Sequence, residues 1–270
     1  MGLAPYGEPK YKDIIVDNLM DIKDDGSFRL DMSYFNYATG LTMTNNKFSA
    51  LFDHPVRKSG EMLKQFHMDI ASSIQYVTEE IVLKIVRTLS KEMKSKNLCL
   101  AGGVALNCVA NSSLANIGLF DNIWIIPNPG DAGSSLGCIA ASEQKHLDWK
   151  NPFLGYNIEG EYPVDAIIKE LTENKMCGVA NGRAEFGPRA LGNRSLLADP
   201  RGLGIKDLVN RIKRRQKFRP FSPAILEEDV NDYFALPTGV KNTPYMQLSL
   251  IHISEPTRPR LISYAVFCLK

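Results

Sequence analysis

Asn97–Asn107, NLCLAGGVALN, reads as a short apolar strand over residues 97–101 that runs into Gly102-Gly103 and then into a helix over Val104–Ala115. A brief apolar run closed by glycines fits a buried strand. A strand–turn–helix unit of this kind points backbone N–H groups and the positive end of a helix beyond the turn, which suits an anion such as a nucleotide phosphate. Asn107, one helical turn past the glycines, is spaced to hydrogen-bond a ribose or base. The stretch is neither a G-x-G-x-x-G nor a Walker A loop. A plain turn packed against a sheet explains it equally well.

Outward from this stretch the pattern repeats. Upstream, Phe66, Ile70, Ile74, Val77, Ile81, Val82, Ile85 and Leu89 recur at three- and four-residue spacing and predict a long helix over Leu63–Lys94. Downstream, Ile123–Ile126 is a second apolar strand, Pro127–Gly133 a turn and Ser134–Ser142 a small-residue helix. The order predicts an α/β fold. Nearer the start, short helices are expected over Tyr11–Met20 and Asn46–Phe52, and a strand over Phe28–Met32. In the second turn Asp131 lies at the carboxyl end of a strand, where α/β folds place ligands. Read on its chemistry alone, it is better taken as a helix cap than as a metal ligand.

Lys150–Tyr162 has the composition of a linker. Beyond it, a helix over Tyr162–Lys175 and a strand over Met176–Ala180 lead into Asn181–Arg201, NGRAEFGPRALGNRSLLADPR. Arg183, Arg189, Arg194 and Arg201 stand here among glycines and prolines. Guanidinium forks on a stiff loop suit a small, multiply charged anion; a solvated surface loop is the alternative. A basic helix over Gly204–Lys217 follows, carrying Lys213, Arg214, Arg215 and Lys217, with Arg219 beyond it. It reads as a second wall for a phosphate or, alternatively, as a non-catalytic anion- or nucleic-acid-binding module, although the aromatics that stack on single strands are nearly absent. Phe218–Leu226 should be extended and Glu227–Tyr233 helical. His54, His67 and His146 lack the spacing of a metal or triad site.

Composition narrows the class. A chain of 270 residues with 44% hydrophobic content can bury a real core, and a net charge of +2 gives no global pull toward nucleic acid. Five cysteines without CxxC spacing read as reduced thiols of a cytoplasmic protein. No run reaches membrane-spanning length. The end of the chain has a different character. Leu248–Arg258 and Ile262–Lys270 back-translate into the two parts of a transposase-type sequencing adapter, so residues 248–270 are expected to be a non-native tail. Without that tail, acidic and basic residues balance. His252 and Cys268 are accordingly set aside as ligands.

Seven segments together resemble the O-carbamoyltransferases of nodulation-factor and antibiotic biosynthesis. They are MGLAPYG at Met1, the DGSF turn and aromatic run of Asp25–Tyr37, QFHMDIASSIQYVTEEI from Gln65, NLCLAGGVALNCVAN from Asn97, PGDAGSSLG from Pro129, EFGPRALGNRSLLADPR from Glu185, and KFRPFSPAIL from Lys217 followed by PYM. The resemblance implies part of a sugar kinase/actin-like domain (residues 1–149, its second lobe), a linker (150–162) and a truncated YrdC-like α/β domain (163–247). It implies that carbamoyl phosphate and ATP yield carbamoyl adenylate, and that the carbamoyl group then passes to a hydroxyl of a sugar or natural-product acceptor. Under it Asp131 becomes a ligand of a divalent, iron-type metal, which replaces the cap reading. Gly102, Gly103, Asn107, Gly130, Arg183 and Arg194 are expected at the nucleotide, and Arg189, Lys213, Arg215 and Arg219 at the reacting phosphates and carbonyl. Neither nucleic acid nor membrane is an expected partner. A first nucleotide-binding lobe, a metal-binding histidine pair and the end of the YrdC-like domain are expected outside this chain, so the chain is expected to be inactive alone.

Overall fold

The computed structural model of the chain describes residues 1–201, 203–237, 240, 243–252, 264–265 and 267–269. It divides into two compact units, 1–94 and 95–270.

The first unit is built on one long helix. Helices α1 (Lys12–Leu19) and α2 (Asn46–Leu51) and the antiparallel pair β1 (Met20–Ile22) and β2 (Phe28–Leu30) precede helix α3 (Gln65–Glu92). The apolar repeat explains α3: Val77 and Ile81 pack with Ile15, Leu19 and Phe52 in a buried cluster. Full burial of such side chains contributes about 1.5–3 kcal/mol each. The N-terminal residues are tied to the same helix. Glu8 N–H donates to Asp69 Oδ1 (2.9 Å) and Tyr11 N–H donates to Ser73 Oγ (2.9 Å). Asp69 is 3% exposed, yet its carboxyl stays below the usual range. Burial alone would raise it, but donors from Glu8, Gln65 and Lys10 outweigh that.

The second unit opens with the parallel pair β3 (Asn97–Leu100) and β4 (Asn122–Ile125), joined through α4 (Cys108–Asn116), and continues into α5 (Ser134–Glu143). The parallel pair with its helical crossover is the α/β arrangement expected from the apolar runs. Two antiparallel pairs follow. Strand β5 (Phe153–Ile158) pairs with β7 (Gly182–Glu185), and β6 (Met176–Ala180), which follows α6 (Val164–Asn174), pairs with β8 (Arg194–Ala198). Then come α7 (Ile205–Ile212), β9 (Ala224–Leu226), α8 (Val230–Tyr233), β10 (Phe234–Ala235) and β11 (Ser249–His252). Leu248 and Leu250 pack with Val230 and Phe234 in a second cluster.

Three local expectations change. The helix predicted over Val104–Ala115 is split, with a 3-10 turn at Gly103–Leu106 before α4, because Asn107 caps α4 through Oδ1 on Ala110 N–H (3.3 Å). The composition of 150–162 hid β5, whose backbone finds its partner some 25 residues later in β7, a pairing no local signal reveals. Much of the arginine segment is strand: the loop Phe186–Asn193 is flanked by β7 and β8, and Arg201 lies in the turn after β8. Among the described residues no helix is long and apolar enough to cross a membrane.

Candidate functional site

The glycine turn after β3 is open on its outer side. Gly102 has φ +94, and no atom lies within 4 Å of where a Cβ would stand on Gly102, Gly103 or Gly130. Its inner side is tied to the turn after β4, since Gly102 N–H donates to the Pro129 carbonyl (2.7 Å). Expected nucleotide and metal positions are thereby neighbours in one unit. Asn107 spends its carboxamide oxygen on the α4 cap. Asp131 begins a short 3-10 turn, is exposed, and makes no capping bond to α5, so the cap read from its chemistry alone does not form. Nor do the described residues assemble a metal site: no group of three His, Cys, Asp or Glu side chains converges. Asp131 offers one carboxylate, and among the described residues too few further ligands join it to hold a metal.

The arginine loop reaches this same place. Arg189 donates from Nη2 to the Leu106 carbonyl (3.2 Å), and its Nε is buried without a hydrogen-bond partner. Its charge is felt at buried Cys108, where desolvation raises the thiol pKa and Arg189 opposes that rise. Gly187, at φ +148, lies so close to the Pro127 carbonyl that a Cβ would come within 2.7 Å of the oxygen. Only glycine fits there without displacing backbone.

The loop's own shape is set by Glu185. Its Oε1 accepts the N–H groups of Leu191 (2.8 Å), Asn193 (2.9 Å) and Arg194 (3.2 Å). Arg194 is spent on main chain: its guanidinium donates to the carbonyls of Tyr156, Asn181, Gly182 and Asn193. Arg183 is exposed on β7, opposite Asn157. Arg201 forms a two-pronged pair with buried Asp199 (Nε–Oδ1 2.8 Å, Nη2–Oδ2 3.1 Å), whose carboxyl is held far below its ordinary range by Arg201. So the structure brings Arg189 to the glycine turn and leaves Arg194 and Arg201 as braces.

A second group of cations follows α7. Asn210, fully buried, accepts from Arg215 Nε (2.5 Å) and donates to the carbonyls of Lys217 (3.1 Å) and Arg219 (2.9 Å). Arg215 also donates to the Pro220 carbonyl and lies over the Phe221 ring (4.3 Å). Around this hub Arg215 comes within electrostatic reach of both Lys213 and Arg219. Partial burial and then the Arg215 charge push the Lys213 ammonium down; partial burial and then the Arg219 charge do the same to Arg215. Lys217 is drawn off to Asp207 (3.6 Å). Glu185 and Asn210 were not singled out from sequence. A carboxylate opening a Gly-Pro-Arg-Ala-Leu-Gly loop, and an asparagine inside a helix just before a basic run, are the signals that would have found them.

Comparison with known proteins matches residues 1–141 to the family described as Carbamoyltransferase N-terminus and residues 168–263 to Carbamoyltransferase C-terminus. The second match continues past Gln247, where the sequence reading ends the family-like segment. An uncharacterized protein of Synechocystis sp. is 46% identical over 91% of this chain and 45% of its own length. Nodulation protein NolO of Bradyrhizobium diazoefficiens is 35% identical over 91% of this chain and 48% of its own. Nodulation protein NolNO of Sinorhizobium fredii is 34% identical over 96% and 40%, respectively. The chain belongs to the carbamoyltransferase family. It spans about half the length of the curated relatives it matches.

Proposed function

We propose that this chain contributes the carbamoyl phosphate and ATP site of an O-carbamoyltransferase that forms carbamoyl adenylate and passes the carbamoyl group to a hydroxyl of a sugar or natural-product acceptor. Under this reading the first family segment is the second lobe of a sugar kinase/actin-like domain and the second a YrdC-like domain. The observation that carries it is the group Lys213, Arg215 and Arg219, in which Arg215 repels both of the other cations and is itself braced by the buried Asn210. Such a cluster is electrostatically costly when empty and relieved by an anion. Fixed cations of this kind stabilise charge gathering on a phosphate without reorganising. Arg189 at the glycine turn supplies a further guanidinium where the nucleotide phosphates are expected.

Isothermal titration with carbamoyl phosphate tests this. Lys213→Gln, which removes one charge and leaves the Asn210 hub intact, should weaken binding about tenfold. Equal affinity of the variant and the wild-type chain would overturn the assignment. So would a preference for a mixed oligonucleotide with a steep salt dependence, which would favour a nucleic-acid-binding module.

A further inference from the structure

We propose that Glu185 is the positioning residue of the arginine loop, an internal anion that shapes Phe186–Asn193 so that Arg189 arrives at the glycine turn already aimed. A single carboxylate oxygen gathers three N–H groups, all of them C-terminal to Arg189. Successive main-chain N–H groups converging on one oxygen form an anion-binding concavity. Here the concavity is filled by the chain's own carboxylate, so these N–H groups are closed to an outside ligand. The apex is pinned on two further sides. Leu191 is 5% exposed, and Gly187 is pressed on the Pro127 carbonyl. Between these points Pro188 restricts the backbone. Arg189 has little freedom at its base, and its far end is held by Leu106.

The bond to Leu106 uses one of the five guanidinium N–H groups. The buried Nε also lacks a partner. The remaining donors stand beside a turn whose glycines face open space. A phosphate arriving there meets a guanidinium whose ordering cost was met when the loop folded. Arg194 cannot take this part, because its donors are committed to carbonyls. The inference extends the nucleotide reading above to one residue, and that reading is separable from it by experiment.

The test uses this chain with Glu185→Ala, Glu185→Gln, Arg189→Ala and the Glu185→Ala/Arg189→Ala double variant. Without ligand, amide exchange at Leu191, Asn193 and Arg194 should accelerate at least about tenfold in Glu185→Ala, while the β6–β8 ladder keeps its protection. The carbonyl carbon shift of Leu106 should move to the value it has in Arg189→Ala. With ATP as probe, affinity should fall about tenfold in Glu185→Ala, less in Glu185→Gln, and no further when Glu185→Ala is added to Arg189→Ala. A Leu106 shift that stays put in both Glu185 variants, or additive losses in the double variant, would overturn the proposal. If Glu185→Ala does not fold, Glu185→Met, which keeps the side chain's length but has no accepting oxygen, carries the same measurements. Should the wild-type chain not bind ATP, the nucleotide reading fails, and the exchange and carbonyl measurements still decide for or against Glu185.

Discussion

The Met1–Tyr11 segment and the Phe186–Asn193 loop are each held by a carboxylate that accepts backbone N–H groups, at opposite extremes of sequence distance. Asp69 takes the Glu8 N–H from 61 residues away, and its charge is balanced by Lys10 (3.3 Å) and by a Gln65 donor. Glu185 takes three N–H groups from within nine residues of itself. The first joins distant parts of the chain and neutralises its own charge, so its contribution is to stability. The second shapes a loop whose one arginine, Arg189, has no carboxylate partner among the described residues, so its contribution is to geometry. The same chemical group serves different ends according to what it closes.

The sharpest way to break this contrast is to remove the long-range carboxylate. Asp69→Ala should destabilise the chain by about 3 kcal/mol in urea denaturation, since it takes the charged acceptor from the Glu8 N–H and from the Gln65 amide, and one of two carboxylates from Lys10. Glu185→Ala should cost clearly less, and equal losses would erase the distinction. Asn210 offers an intermediate case, local in sequence yet fully buried. Asn210→Ala should cost about 2 kcal/mol in the same assay. It should also weaken carbamoyl phosphate binding, because Arg215 loses its brace. An unchanged affinity would show that Arg215 is held by Phe221 and Pro220 alone.

The smallest expected effect is a pH dependence. Burial first, then the charges of His54, Arg57 and Lys64, lower the His67 pKa below its ordinary 6.5. The folded state therefore binds fewer protons than the unfolded one, and stability is full above the unfolded pKa and declines as pH falls through it. The urea midpoint should drop between about pH 7 and about pH 5.5. His67 Nδ1 accepts the Lys64 N–H (2.9 Å) at the start of α3. Glutamine at that position can do the same. His67→Gln should keep the helix start and flatten the pH profile; a persisting slope would assign it to another group.

The repeat of α3 and the strand–glycine–helix order of the second unit were legible because each depends on side chains close in sequence. The break of the helix at Asn107 was less so, since capping and helix continuation compete within one turn. Strand β5 was hidden because its ladder partner lies in β7. Within the site, the residue types were readable: Arg189, Lys213, Arg215 and Arg219 all stand where an anion could be met. What could not be read was the division of labour. Arg194 looks like Arg189 in sequence, and only the four carbonyls around it show that its donors are taken. Glu185 carries the wrong sign for an anion site, and only the three N–H groups on its oxygen reveal its part in one.

The ties on the Gly102–Leu106 turn also impose an order in time. The turn is held first by Pro129, then by Arg189 across 83 residues, and Asn111, which donates to Ala105, also donates to the Gln247 carbonyl across 136. Gln247 in turn donates to the carbonyls of Ile125 and Ile126 at the end of β4. On the ribosome each tie waits until its second partner has been made. In refolding each doubling of the closed loop costs about 0.6 kcal/mol more. The turn is therefore outlined first, receives its guanidinium once Arg189 has been made, and is locked from behind only after Gln247 has followed.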